Sequence, residues 1–120
     1  MRIGQLAERT GTSERLLRYY ERVGLLTADR LPNGYRDYAP AAEQTVRQIR
    51  ALLAAGLPTS LIKHMLPCAE ADGSLRPCPG VLGALRTQLT ELDRRAEDIA
   101  QARRTLRAAI AAIAATERAS

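Results

Sequence analysis

The chain has no Phe and no Trp, and four Tyr are its only aromatic residues in 120. A core must therefore be built from aliphatic side chains, and 21 Ala make most of it small. There is one His, no pair of catalytic carboxylates and no Gly-rich phosphate loop. The parts of an active site are missing, so no enzyme and no cofactor are expected. Two cysteines are too few for a disulfide framework. No apolar run approaches the roughly 20 residues of a membrane span; the longest, Ala108 to Ala115, is short and follows Arg107. The opening Met1-Arg2-Ile3-Gly4 passes at once into a polar periodic segment, unlike a signal peptide. A cytoplasmic protein without a membrane partner is the expectation. Lysine is nearly absent too: 17 of the 18 basic residues are Arg.

What is present favours helices. Ala, Leu and Arg dominate, and 46% of residues are hydrophobic. A length of 120 residues suits one small domain with an extension. The net charge of +5 points to an acidic partner, most often nucleic acid. That charge is uneven. Residues 1–65 hold 10 basic and 6 acidic side chains, whereas 66–120 hold 8 and 7. The front half is the expected polyanion binder.

Ile3, Leu6 and Ala7 lie at helical spacing, and Thr10-Gly11-Thr12 interrupts them. Ser13 is placed to cap a second helix over Glu14 to Arg22, because its hydroxyl can accept from an unpaired first-turn amide. Gly24 stops that helix. Two short helices joined by a Gly-containing turn form a helix-turn-helix pattern. Asn33-Gly34 predicts a two-residue hairpin turn between Asp29-Arg30-Leu31 and Tyr35-Arg36-Asp37-Tyr38, which makes a wing. Pro40 fits the first position of a third helix through Ala55, with Ala42, Val46, Ile49, Leu52 and Leu53 on one face. Gly56 ends it, and Pro58 opens a fourth helix to about Leu66. Residues 1–66 thus form a head and 67–79 a Cys- and Pro-containing linker.

From 80 to about 116 the apolar positions are Leu82, Leu85, Leu89, Leu92, Ala96, Ile99, Leu106, Ile110 and Ile113. Their steps alternate between three and four, with Arg103 filling the one skipped site. More than four heptads meet the pattern of a coiled coil. The helix is about 55 Å long at 1.5 Å per residue, more than a small head can cover. A second copy is the expected cover, giving a twofold homodimer. The pattern alone does not choose parallel or antiparallel pairing. Residues 117–120 are a tail.

The strings Thr10-Gly11-Thr12-Ser13, Leu17-Arg18-Tyr19-Tyr20-Glu21, Gly24-Leu25-Leu26 and Asn33-Gly34-Tyr35-Arg36-Asp37-Tyr38 resemble the MerR family of bacterial transcriptional regulators. The resemblance implies a mostly α fold: a winged helix-turn-helix head followed by a long dimerisation helix that pairs as an antiparallel coiled coil. It also implies promoter DNA and RNA polymerase as partners. Members of the family bind palindromic operators in promoters with an overlong spacer, and on receiving a signal bend and undertwist that spacer. Such readout works through deformation, which costs of order 1–6 kcal/mol for a bend of tens of degrees. Two positions depart from the family pattern. Leu53 stands where many members have an Arg, and Pro58 replaces the usual Ser or Thr cap of the fourth helix, leaving Thr59 as a phosphate donor.

Arg15 and Arg18 share a face of the second helix, which should enter the major groove. Arg15 is the expected base reader and Arg18 a mixed or phosphate contact. Tyr19 and Tyr20 can each bring a hydroxyl to phosphate, with one of them alternatively a core residue. Ser13 lies at the same helix start. Arg30 and Arg36 flank the wing turn and suit backbone or minor-groove contact, Arg30 being alternatively a solvated strand charge. Tyr35 and Tyr38 alternate with Arg36, so that one wing face carries rings and the other charge. Lys63 is a minor further candidate, and His64 receives no role.

Cys68 and Cys78 lie at the two ends of the linker. Pro79 at the first helical position would make Cys78 the N-cap of the long helix, with Arg76 nearby, and both features lower a thiol pKa. Cys78 then reacts first with oxidants or electrophiles and Cys68 resolves. Two other readings stay open: a metal held by Cys68 and Cys78, and two silent packing residues. In the metal-sensing relatives implied by the resemblance, Cys78 matches a cysteine at the start of the dimerisation helix, but the two further sulfur ligands are missing. An architectural DNA-bending protein without effector and a helical adaptor are the competing functions.

Overall fold

A computed structural model describes residues 1–68, 75, 76 and 78–119. The sequence-level expectations about residues 69–74, Pro77 and Ser120 lie outside the described residues. Five α-helices occur in the order α1 (Ile3–Thr10), α2 (Glu14–Arg22), α3 (Ala42–Ala54), α4 (Thr59–Met65) and α5 (Val81–Ala119). A two-stranded sheet, β1 (Asp29–Arg30) and β2 (Arg36–Asp37), lies between α2 and α3. A short 3-10 turn, Leu66–Cys68, follows α4. The chain divides into two compact units, Met1–Val81 and Leu82–Ser120.

Within the first unit the helices close around an aliphatic core. Leu6, Leu17, Val46, Ile49, Ile62 and Met65 are buried, and two tyrosines, Tyr20 and Tyr38, supply the only large rings there. Ser13 caps α2 as its sequence position predicts: its hydroxyl oxygen accepts from the Leu16 amide at 3.1 Å. The α3 helix opens at Ala42, two residues after Pro40, so Pro40 stands outside the helix.

The wing differs from the expected two-residue hairpin. Asp29 faces Asp37 and Arg30 faces Arg36 in an antiparallel pair. The Leu31 amide donates to the Tyr35 carbonyl at 2.8 Å, and the Gly34 amide to the Leu31 carbonyl at 2.9 Å. Three residues, Pro32, Asn33 and Gly34, therefore make the loop. Only Gly34 has positive φ, at 84°; Asn33 does not, and the two-residue type I′ turn needs positive φ at both. Pro32 at the second turn position favours type I geometry, and Gly34 supplies the left-handed residue that completes a three-residue hairpin. The register sets like charges opposite each other, which is unfavourable unless offset. Asp37 is offset by the Met1 amino group at 2.8 Å and Arg36 by Glu21 at 2.6 Å.

The second unit is the remainder of α5, 39 residues counted from Val81 and about 58 Å long. Ion pairs run along it: Glu91 with Arg94 and Arg95, Arg94 with Asp98, and Glu97 with Arg104. The Arg94 hydrogen bond holds the Glu91 carboxyl below its ordinary value. Such solvated pairs contribute little stability individually. Leu82, Leu89, Ile99, Leu106, Ile110 and Ile113 are about 60% exposed. Leu85 and Leu92 are half-buried and Ala96 is exposed. No helix among the described residues is long and apolar enough to cross a membrane.

Candidate functional site

The helix-turn-helix is held together from α3. Arg50 reaches the turn between α1 and α2 and donates to the carbonyls of Thr10 and Gly11 at 3.2 and 3.0 Å and to the Thr12 hydroxyl at 2.9 Å. Arg47 donates to the Arg9 carbonyl at 3.0 Å. A guanidinium at the carboxyl end of α1 meets the negative end of the helix dipole and its unpaired carbonyls. Glu43 joins this network by pairing with Arg9 and Arg47. Thr12, itself buried, thus becomes the fixed end of the turn that orients α2. Sequence reading missed Arg50. Its one visible sign is a charge at the next turn after Val46, beside the apolar face of α3.

On α2, Arg15 and Arg18 are exposed, and so are Ser13 at its cap and Tyr19. The Arg22 guanidinium lies over the Tyr19 ring, 5.6 Å from its centroid. Tyr20 is a core residue rather than a surface donor, with 1% of its area exposed. The α2 periodicity explains the split: Tyr20 follows Leu17 by three positions and shares its inward face, while Tyr19 shares the face of Arg15. Burial raises the Tyr20 pKa above its ordinary value, and Arg50 partly offsets this.

In the wing, Tyr35 is exposed and Tyr38 is fully buried. The two are three residues apart, so an alternating strand cannot place both on one face, and the expected ring face does not form. The Tyr38 hydroxyl is buried and has no hydrogen-bond partner among the described residues, which removes it from any phosphate contact. Burial, reinforced by Glu21, raises its pKa. The Arg36 Nε donates to the Glu21 carboxylate at 2.6 Å, so this side chain is a strut from the wing to α2 rather than a free basic contact. Arg30 is exposed and donates to the Gly34 carbonyl at 3.2 Å. The Arg2 guanidinium sits 4.4 Å from the centroid of the Tyr35 ring, adding a cation at the wing. Thr59 is half-buried at the start of α4, and Lys63 packs across Gly24.

Cys68 and Cys78 form a disulfide within the chain, with Cα atoms 6.0 Å apart, inside the range such bonds require. Cys68 is buried and Cys78 half-buried. The expected N-cap role of Cys78 is not met. Helix α5 begins at Val81, because Gly80 has φ of 77° and the backbone cannot be helical there. Arg76 is likewise turned elsewhere: its amide bonds the Cys68 carbonyl and its guanidinium the Pro67 carbonyl. The neighbour that sequence reading left without a role is His64. Its Nε2 lies 2.9 Å from the Pro79 carbonyl and 4.0 Å from the Cys78 sulfur. The described residues contain no cluster of three or more metal-binding side chains.

The family model for MerR HTH family regulatory proteins matches residues 1–68, and the model for the MerR DNA-binding region matches residues 43–109. The HTH-type transcriptional regulator HmrR of Rhizobium leguminosarum bv. viciae is 34% identical over 106 residues, 88% of this chain and 81% of that protein. The mercuric resistance operon regulatory protein of Bacillus cereus is 27% identical, over 88% of this chain and 79% of that protein. Among solved structures, HiNmlR, a MerR family regulator lacking the sensor domain and bound to promoter DNA, matches with a TM-score of 0.67 and 22% identity, over 92% of this chain and 86% of that one. This last likeness speaks to the fold. The matched head and the relative spanned over most of its length show that the chain belongs to the MerR family of DNA-binding transcriptional regulators.

Proposed function

We propose that the protein binds a palindromic promoter element as a homodimer and distorts an overlong spacer in response to the thiol state of Cys68 and Cys78. The observation that carries the DNA-binding part is the exposed face of α2. Arg15, Arg18 and Tyr19 project from a helix whose cap is set by Ser13 and whose entry turn is clamped by Arg50. Arg15 reads a base edge in the major groove, and Arg18 contacts base or phosphate. Arg30 and Tyr35 carry the wing contact, with Arg2 beside them, and Thr59 donates to phosphate. Residues 1–66 act as the DNA-binding domain and 80–116 as an antiparallel dimerisation helix. RNA polymerase is the partner that reads the altered spacer.

The disulfide supports the redox part, because the two cysteines of the chain meet within its own linker. Closing or opening that bond alters the segment joining the DNA-binding head to the dimerisation helix. A metal-responsive reading has its own support in the relative named for mercuric resistance. In it, reduced Cys68 and Cys78 would supply soft sulfur ligands.

Run-off transcription tests these readings, using DNA upstream of the protein's own gene, with reduced protein, oxidised protein, and reduced protein loaded with Zn²⁺ or Cu⁺. A change on oxidation that Cys68→Ser and Cys78→Ser both abolish supports the thiol reading. A response to metal alone favours the second. Bending without any effect on transcription would make the protein architectural.

A further inference from the structure

We infer that His64 is the positioning residue that activates Cys78 as the thiol meeting the oxidant. The inference rests on the thiol reading above and replaces the helix-cap argument that Gly80 removes. His64 lies on α4 and Cys78 just before α5, 14 residues apart, yet the imidazole Nε2 is 4.0 Å from the Cys78 sulfur. The same Nε2 is 2.9 Å from the Pro79 carbonyl. A carbonyl only accepts, so Nε2 carries the proton there. That proton is engaged by the Pro79 carbonyl, so what acts on the Cys78 sulfur at 4.0 Å is the nearby positive end of the N–H dipole and not a second hydrogen bond. A fixed N–H dipole next to a sulfur favours the thiolate over the thiol, and a positive charge on the ring would do so further. In the disulfide the Cys78 sulfur carries no proton; on reduction the His64 carbonyl, 3.7 Å from that sulfur, becomes an acceptor for the neutral thiol, but an S–H···O contact is a weak interaction by comparison.

Burial separates the roles of the two cysteines. Cys78 is half-buried and Cys68 is buried, so Cys78 is the sulfur a hydroperoxide reaches. The Cys78 thiolate attacks the hydroperoxide O–O bond. The S–O bond forms, the O–O bond breaks, and the alcohol or water leaves after taking up a proton, with Cys78 oxidised to sulfenic acid. The Cys68 thiol then attacks the Cys78 sulfur. The S–S bond forms, the S–O bond breaks, and the hydroxyl leaves as water with the Cys68 proton. The hydroperoxide is the two-electron oxidant, and the product is the disulfide of the structure.

The test uses the full chain, reduced and freed of reductant, then exposed to hydrogen peroxide. Disulfide formation is followed by mass spectrometry of the intact protein. Each unit of pKa lowering raises the thiolate fraction about tenfold and lowers its intrinsic nucleophilicity about threefold. His64→Ala should therefore slow oxidation by about threefold or more. Added imidazole should restore much of that rate, which a merely structural loss would not allow. His64→Gln keeps a donor without a positive charge and should fall between. Equal rates for the parent and His64→Ala, or a slow His64→Ala that imidazole leaves unchanged, would overturn the role of His64 while leaving a cysteine-dependent transcriptional response standing. A parent that forms no disulfide under peroxide would overturn the thiol reading and this inference together.

Discussion

The head and the long helix use the same aliphatic side chains to opposite ends. In the head, Leu6, Leu17, Val46, Ile49 and Ile62 are fully buried by neighbours within 81 residues. In α5, Leu89, Ile99, Leu106, Ile110 and Ile113 are about 60% exposed although their heptad spacing is regular. Full burial of such a side chain contributes about 1.5–3 kcal/mol. The head realises that contribution alone, whereas the helix realises it only against another surface. The same residue alphabet thus serves a closed core and an exposed stripe, and what separates them is whether a cover is present within the described chain.

The largest effects should come from breaking this contrast in the head. Ile49→Ala opens a cavity under α3 and should cost about 2–5 kcal/mol, measured by urea unfolding and independent of protein concentration. Ile110→Ala in the helix should leave head stability unchanged, and its effect should grow on dilution. An Ile110→Ala effect that does not depend on concentration would mean that α5 is covered within its own chain.

The next effect concerns the head's working surface. Arg18→Ala should weaken operator binding by about 1–3 kcal/mol with little change in thermal stability. Mobility shifts at two salt concentrations read both affinity and the number of phosphate contacts. Unchanged affinity would move the interface off α2.

The smallest effect should be at Tyr38. Removing a buried hydroxyl that has no partner among the described residues relieves a desolvation cost, so Tyr38→Phe should be neutral or stabilising by up to about 1 kcal/mol, and operator affinity should not change. Both Tyr20 and Tyr38 have pKa values raised above 10.0, mainly by burial. Folding favours their neutral phenols, so their contribution is intact below pH 10 and is lost as the pH rises past that value. Tyr38→Phe should make stability fall less steeply in this alkaline range. A Tyr38→Phe variant that loses DNA binding would place the hydroxyl at the interface after all.

The winged helix-turn-helix was legible because local chemistry marks its joints: Ser13 as cap, Gly24 and Gly34 at positive φ, Pro58 before α4. The heptads of α5 were equally plain. Contacts between distant segments were less so. Arg50 clamping the turn 38 to 40 residues away, Arg36 pairing with Glu21, and His64 beside Cys78 each join positions that no short-range pattern connects. The undecided reading of Tyr20, between phosphate donor and core, and the misplacing of Tyr38 have a different origin. A tyrosine is amphipathic, and only the packing around it decides whether its ring or its hydroxyl matters.

A second copy of the chain, if it closes the exposed stripe of α5 as proposed, sets two heads on one duplex. Sedimentation equilibrium of the parent and of Leu92→Asp, over a range of concentrations, tests it most directly. A dimer is expected for the parent and a folded monomeric head for Leu92→Asp, whose carboxylates would otherwise be buried near the middle of the pair. A parent that stays monomeric at every concentration, or a Leu92→Asp dimer as tight as the parent's, would contradict it.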